Sequence, residues 1–328
     1  MTLNLKTFNV MSELTQKDKT SWIKGKATEL GFLDVGIAKA EFLKEEADRL
    51  TDWLSKGYQG KMEYLENHFE KRTDPRKLVK NAKSVISLAY NYFPEDVINP
   101  EGEIKISKYA YGRDYHKVVK KKLKYFFKLI NEKFGPVEGR FFVDSAPVME
   151  REWALRAGLG WIGRNTLIIN PRKGSFFFLA EIIIDVELDY DEPMTDYCGS
   201  CTKCVDACPT DAIIGDGYVV DASKCISYAT IELKDENIPE AFSGQMEGWA
   251  FGCDICQDVC PWNRFSNPHE EKEFLPSAAL KKLNDEGLKN MTEEQFGELF
   301  EGSPVKRTGY AGLARNIDFV TGTNSEEE

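Results

Sequence analysis

Cys198-Gly-Ser-Cys201-Thr-Lys-Cys204-Val-Asp-Ala-Cys208-Pro209 spaces four cysteines as C-x2-C-x2-C-x3-C-P. Two-residue gaps let a tight loop present three sulfurs to three corners of one iron–sulfur cube. The longer gap and its proline turn the fourth sulfur towards a second cube. Further along stand Cys225 and then Cys253-Asp-Ile-Cys256-Gln-Asp-Val-Cys260-Pro261. All 8 cysteines of the chain fall in this region, enough for two 4Fe-4S clusters. The crossed pattern gives Cys198, Cys201, Cys204 and Cys260 to one cluster. It gives Cys208, Cys225, Cys253 and Cys256 to the other.

Zinc and disulfides are the competing readings. Zinc sites pair two C-x2-C knuckles, often with histidine. Here three cysteines follow in a row, a proline follows each last cysteine, and no histidine lies between. Disulfides need an oxidising compartment, and Met1 to Thr20 lacks the apolar core of a signal peptide. No run reaches membrane-spanning length. Clustered cysteines without a targeting segment predict a cytoplasmic protein that does not meet the membrane.

The chain has 328 residues, room for more than one core, with ordinary hydrophobic (42%) and charged (30%) content. A net charge of -11 argues against a surface coated for nucleic acid. Distribution matters more than the total. Lys117, Lys120, Lys121, Lys122, Lys124, Lys128 and Lys133 crowd one segment with a single acid, Glu132. Such a run is either a solvated helix face or a contact for phosphates. The tail Asn324 to Glu328 is acidic and reads as disordered.

Periodicity predicts helices over Gln16 to Leu30, Ala40 to Ser55 and His116 to Lys133, and strands over Phe32 to Ala38, Ser84 to Tyr92 and Gly139 to Val143. Gly57 and Gly60 suit a loop that approaches another element closely. A further helix is expected from about Pro147. Thr166 to Ile169 and Ser175 to Val186 read as a β-hairpin around Asn170 to Gly174. Leu275 to Leu299 reads as helical. The order predicts an α+β protein: a mixed α/β domain over 1–188, a ferredoxin-like two-cluster domain over 189–275, and a short helical extension over 276–328.

Asp144 is the first candidate for acid–base chemistry. It follows a strand and precedes the proline-led helix, and from spacing alone the role of capping that helix is favoured over catalysis. Tyr115 and His116 open the lysine-rich helix, where a phenol can hold a substrate oxygen or the pair can simply pack. His68 and His269 have no partner pattern and read as surface residues. Gly158, Gly160 and Gly163 spell G-x-G-x-x-G, but a helix rather than a strand precedes them. A turn packed against a flat cofactor or the cluster region competes with the dinucleotide reading.

Three stretches extend the cysteine pattern into a family likeness: Tyr109-Ala-Tyr-Gly-Arg-Asp-Tyr-His-Lys117, Val143-Asp-Ser-Ala-Pro-Val-Met-Glu-Arg151 and Gly158-Leu-Gly-Trp-Ile-Gly-Arg-Asn165. With Cys225-Ile-Ser-Tyr and Phe251 to Asn263, the chain resembles the epoxyqueuosine reductases, cobalamin-dependent iron–sulfur enzymes of queuosine biosynthesis. The likeness runs from Gln16 to Asn316. It implies that the N-terminal domain binds cobalamin. The implied reaction reduces the epoxide of epoxyqueuosine, at the wobble position of a tRNA, to the alkene of queuosine. Cobalamin does the hard step and the clusters feed it electrons from an external donor.

The resemblance also implies roles: Asp144 as proton donor, Tyr115 as a second active-site residue, and Arg151 beside them. Asn67, Ser107, Asp144, Gly163, Asn165, Ser227 and Asp254 are carried over as cobalamin contacts. The lysine helix becomes a tRNA surface. Many relatives carry C-terminal HEAT-like repeats after the stretch matching Ser303-Pro-Val-Lys-Arg307, so the resemblance implies a short form, expected as a monomer. A small-molecule reductase like the reductive dehalogenases, and a simple electron carrier, are the alternatives.

Overall fold

The computed structural model describes residues 14–322. The segment before Leu14 and the acidic tail lie outside them. Helix α1 (Gln16–Glu29) is closed at its start by a capping box between Thr15 and Asp18. It is followed by β1 (Asp34–Lys39), α2 (Lys44–Ser55), α3 (Phe69–Thr73), β2 (Ser84–Asn91), β3 (Lys105–Ile106) and α4 (Tyr115–Phe134). Next come β4 (Gly139–Phe142), α5 (Glu150–Arg156), β5 (Trp161–Ile162), β6 (Ile168–Ile169) and β7 (Phe177–Ile184). The cysteine region carries α6 (Lys203–Asp206), β8 (Trp249–Phe251) and α7 (Ile255–Asp258). The chain finishes in α8 (Ala278–Lys281), α9 (Asp285–Lys289), α10 (Glu293–Leu299) and α11 (Gly309–Thr321).

Four strands form one sheet in the order β1-β2-β7-β4, each pair antiparallel. Both faces are covered. On one, Ile86, Leu88, Phe178, Ala180, Ile182 and Ile184 pack with Ile23 of α1 and Phe126 of α4. On the other, Val85, Ala89, Phe177 and Ile183 pack with Trp153 and Ala154 of α5. The two sets alternate along each strand, as the pleat requires.

The expected hairpin is not there. β6 turns back onto β5, while β7 runs between β2 and β4. Seven of the eight β7 residues are buried, so the strand needs cover on both faces and pairing on both edges, which the two-residue β6 cannot give. The predicted helix near Pro147 starts only at Glu150 with Met149 at its cap position. Asp144 therefore does not cap it. The second helix likewise begins at Lys44 rather than Ala40.

β3 pairs in parallel with β8, far along the chain. Ile104, Ile106 and Tyr111 share a core with Phe251, Phe300, Val305, Leu313 and Ile317. The C-terminal helices thus pack on the seam between the sheet region and the cysteine region. Gly252 sits at that seam with φ +70, where a Cβ would stand 2.1 Å from Ser107 Oγ. The Gly57–Gly60 loop makes its close approach to Tyr228, whose hydroxyl accepts the Lys61 N–H at 3.0 Å.

Candidate active site and cluster-binding loops

Asp144 stands near the start of the loop between β4 and α5 with φ +52, a conformation that a non-glycine residue holds only when its surroundings impose it. Three groups do so. Tyr115 donates its hydroxyl to Asp144 Oδ2 at 2.5 Å, and His116 Nε2 lies 3.1 Å from the same oxygen. Glu150 Oε1 accepts the Asp144 backbone N–H at 2.5 Å. Behind the histidine, Asp114 Oδ1 meets His116 Nδ1 at 2.7 Å while capping the first turn of α4. Tyr115 is held flat on Phe178, with ring centroids 4.0 Å apart.

The electrostatics follow from these contacts. Burial opposes charge on Asp144, but the bonds from His116 and Tyr115 outweigh it and hold the carboxyl below its ordinary range. Burial also works against a charged His116. Asp114 and Asp144 overcome it and lift the imidazole to about 9. Desolvation, then the Asp144 charge, pushes the Tyr115 phenol far above its ordinary value. At neutral pH the triad is carboxylate, imidazolium and phenol, with one readily transferable proton on the histidine.

A cavity of about 780 Å³ opens over this triad. Tyr109, Tyr115, His116, Lys117 and Asp144 form one wall, and Ile231, Glu232, Lys306 and Arg307 form the opposite one. Arg307 is paired to Glu232 at 2.8 Å. Ile231 and Glu232 belong to a π-helical turn that begins just after Cys225 and Ser227. Tyr109 packs on both Tyr115 and Phe251, at 6.1 Å in each case. Through Ile231 and through Tyr109, the cavity wall is therefore backed by the chain that follows Cys225 and by Phe251, two residues before Cys253.

All eight cysteines are free thiols of intermediate exposure. Burial raises Cys204 to about 11, helped first by Cys260 and then by Cys198, and Cys260 is raised in turn by Cys198 and Cys201. Cys253 is raised by burial, Cys225 and Cys208, and Cys256 chiefly by burial, Cys253 and Cys225. Most of these influences come from within one assigned set, while Cys256 also feels Cys204 of the other, so the sulfurs of both sets lie near one another. Thiolates so crowded need positive charge among them, which cluster iron supplies. Trp161 Nε1 points at Cys198 Sγ at 3.4 Å. Backbone N–H groups of Ser227 and Tyr228 face Cys225, and those of Trp262 and Asn263 face Cys260.

The remaining sequence candidates fall in several places. Arg151 donates to the Thr166 carbonyl and hydroxyl at 2.7 and 2.8 Å, beside the triad but not bonded to it. Ser107 and Asp254 are buried (1% and 2% exposed) in the β3–β8 seam, where Asp254 accepts the Lys108 N–H at 2.8 Å. Asn165 donates to the Cys256 carbonyl at 3.2 Å. Gly163 receives its bond from no helix: it closes the β5–β6 turn, its N–H donating to Leu167. The G-x-G-x-x-G run therefore packs on the cluster loops and is no dinucleotide loop. Asn67 and His68 are exposed, Ser227 is half-buried beside Cys225. His269 is not a surface residue: it is half-buried, edge-on to Phe274 at 5.8 Å. Sequence reasoning gave no role to His116, Glu150 or Glu181, the last fully buried at the centre of β7.

Comparison with known proteins gives a consistent result. Residues 197–263 match the 4Fe-4S double cluster binding domain, and residues 72–145 match the family described as epoxyqueuosine reductase QueG, DUF1730. The chain is 58% identical over 308 residues to the epoxyqueuosine reductase of Cyclobacterium marinum, covering 93% of this chain and 98% of that one. It is 40% identical to that of Escherichia coli, covering 97% and 83%. A crystal structure of epoxyqueuosine reductase with an epoxyqueuosine-modified tRNA-Tyr stem loop superposes with a TM-score of 0.84 at 31% identity, over 92% of this chain and 80% of that one. A catabolic reductive dehalogenase, 17% identical with a TM-score of 0.50, shares the fold alone. The chain belongs to the epoxyqueuosine reductase family.

Proposed function

We propose that this protein reduces epoxyqueuosine in the anticodon of a tRNA to queuosine, with Asp144 delivering the proton to the departing epoxide oxygen. The observation that carries the reading is the meeting of Tyr115, His116 and Asp144 at the wall of a cavity whose opposite wall includes Ile231 and Glu232, in the turn that follows Cys225. The net change takes up two electrons and two protons and releases the oxygen as water. When bound, cobalamin supplies the reductive opening of the ring, and the two clusters supply its electrons.

The cavity's size falls in the range of cofactor and ligand sites. Asn67, Ser227 and the backbone around Gly163 are the groups we assign to holding the cofactor. Ser107, Asn165 and Asp254 support them by fixing the Lys108–Tyr109 and Cys256 segments. Tyr115 and His116 hold Asp144 Oδ2 in place. The proton on His116 Nε2 passes to that oxygen and on to the substrate, and Asp114 keeps the imidazole oriented. Arg151 acts by bracing the Thr166 turn beside the acid.

The exposed lysines of α4 supply the charge for the tRNA backbone. Lys117 also lines the cavity, so the basic helix leads to the acid. Lys122 is taken up by Glu271 at 3.4 Å and Lys128 by Glu132 at 3.4 Å. Among the described residues no ion pair engages Lys117, Lys120, Lys121, Lys124 or Lys133. We assign the protein to the cytoplasm as a monomer served by a separate electron donor. Among the described residues no helix is long and apolar enough to cross a membrane. The test is an anaerobic assay on tRNA carrying epoxyqueuosine, with clusters and cobalamin loaded. Loss of one oxygen mass from the base, dependent on cobalamin, is the expected result. No conversion by fully loaded enzyme sinks the reading.

A further inference from the structure

The aromatic side chains around the first cysteine set reach the surface. Trp161, whose Nε1 points at Cys198 Sγ, meets Trp262 edge-on at 5.0 Å and Tyr197 at 5.3 Å. Trp262 continues to Phe265 at 6.1 Å. Tyr218 joins them by donating its hydroxyl at 2.5 Å to Asp196, the neighbour of Tyr197. Of the nine exposed large hydrophobic side chains among the described residues, four are here: Tyr197, Tyr218, Val219 and Phe265. Exposed apolar surface gathered in one place marks contact with another molecule.

The rim of this patch is basic. Arg264 lies over the rings of Phe265 at 4.4 Å and Trp262 at 5.8 Å. The Arg172-Lys173 turn packs on the same segment, with Ser266 donating to the Lys173 carbonyl at 3.3 Å. Lys203 is exposed in the first cysteine loop itself. Among the described residues no ion pair engages Arg172, Lys173, Lys203 or Arg264. The nearby acids are already occupied: Asp196 by the Cys198 N–H and Tyr218, Asp206 by Thr202, and Asp258 by Lys108. None of these aromatic or basic residues lines the cavity over Asp144.

We propose that this surface is the port where electrons enter, and that it docks a small acidic one-electron carrier protein on Trp262 and Phe265, ringed by Arg172, Lys173 and Arg264. The cavity is backed by the chain after Cys225 and by Phe251 before Cys253, both belonging to the second cysteine set. The first set therefore stands on the donor's side. Its loop is a firm platform, because Arg164 donates to the Gly199 carbonyl at 2.9 Å. Redox encounters bury little surface, below about 1,200 Å², and charge steers them. Cations without counterions select an acidic partner. A nucleic acid matches less well, since a tRNA must bring its base to Asp144 and the patch shares no residue with that cavity or with α4. One electron passes per encounter: the carrier's cofactor is oxidised by one electron, the cluster is reduced by one, and no bond forms or breaks. Two encounters supply the two electrons for each epoxide. The inference rests on the reading that a separate donor serves the clusters.

Reduced flavodoxin, an acidic carrier, is the probe, and neither tRNA nor cobalamin is needed. Stopped-flow bleaching of the cluster absorbance follows electron entry. Titration with oxidised flavodoxin at low salt reads binding alone. The wild type should be reduced at a rate that falls as salt rises. Lys173→Glu with Arg264→Glu should lower the second-order rate and the affinity by about tenfold or more, with iron content and the rate of reduction by dithionite unchanged. Lys281→Glu with Lys282→Glu makes the same change of net charge elsewhere and should leave rate and affinity at their wild-type values. Should the first pair lose iron, Arg172→Glu with Lys203→Glu takes its place. Rates and affinities that ignore the reversal, or that fall equally in the Lys281 pair, overturn the port. A patch variant that takes electrons normally but loses affinity for an anticodon stem loop would make the surface one for nucleic acid and overturn it too. Both readouts are free of turnover, so a failure of epoxide reduction leaves the result standing.

Discussion

Tyr115 and Asp144 are 29 residues apart in sequence, yet the phenol hydroxyl lies 2.5 Å from the carboxylate. The one opens α4, the other stands two residues after β4, and Phe178 of the central strand stacks beneath the tyrosine ring. The sheet is therefore the platform that brings the acid and its partners together.

Asp144→Asn should keep the hydrogen bond from Tyr115 but carry no proton. We expect turnover to fall by about 10²–10⁴-fold, with iron content and cobalamin binding unchanged. Single-turnover conversion of modified tRNA, alongside iron analysis and cobalamin absorbance, checks both halves.

The His116 imidazole titrates above its ordinary value because two carboxylates hold it. A group raised in this way contributes stability fully below about 6.5 and loses it as pH climbs through about 9. The melting-temperature difference between wild type and His116→Gln should be largest at pH 6 and vanish by about pH 10. A difference that grows with pH would show that the pairing is wrong.

The cysteine sets are separable by paired variants. Cys204→Ala should lose one cluster, about half of the iron. Adding Cys260→Ala should lose little more, whereas adding Cys208→Ala should empty both. Iron counts and low-temperature paramagnetic spectra of the reduced protein distinguish these outcomes.

Gly252→Ala places a Cβ 2.1 Å from Ser107 Oγ at a backbone angle suited to glycine. We expect a loss of about 1–3 kcal/mol in stability, read by denaturant unfolding. The cluster held by the adjacent Cys253 should be lost before the other.

Reversing charge on α4, as in Lys120→Glu with Lys124→Glu, should raise KM for tRNA without lowering kcat. The slope of log affinity against log salt should drop by about 1 for each phosphate contact removed. Binding titrations with an anticodon stem loop at several salt concentrations measure it.

Much of this was legible in the sequence where the signal is local. The cluster loops announce themselves because ligand spacing is set by a few consecutive residues. The helix α4 and strand β2 follow from periodicity. Asp144 illustrates the opposite. Spacing alone favoured a capping role over proton donation, and the late start of α5 at Glu150 removes the capping role. The meeting of His116 with Asp144 joins segments 28 residues apart, which no local window contains. The hairpin expectation failed for the same reason: the partners of β7 lie far from it along the chain.

The pairing of β3 with β8 has a bearing on how the enzyme is made. During synthesis Lys105 and Ile106 emerge long before Trp249 and Phe251, and α11 later still. The early sheet can close while its neighbour is still inside the ribosome, but one wall of the cavity cannot. The cavity is therefore complete only once residues 301–307 have been made.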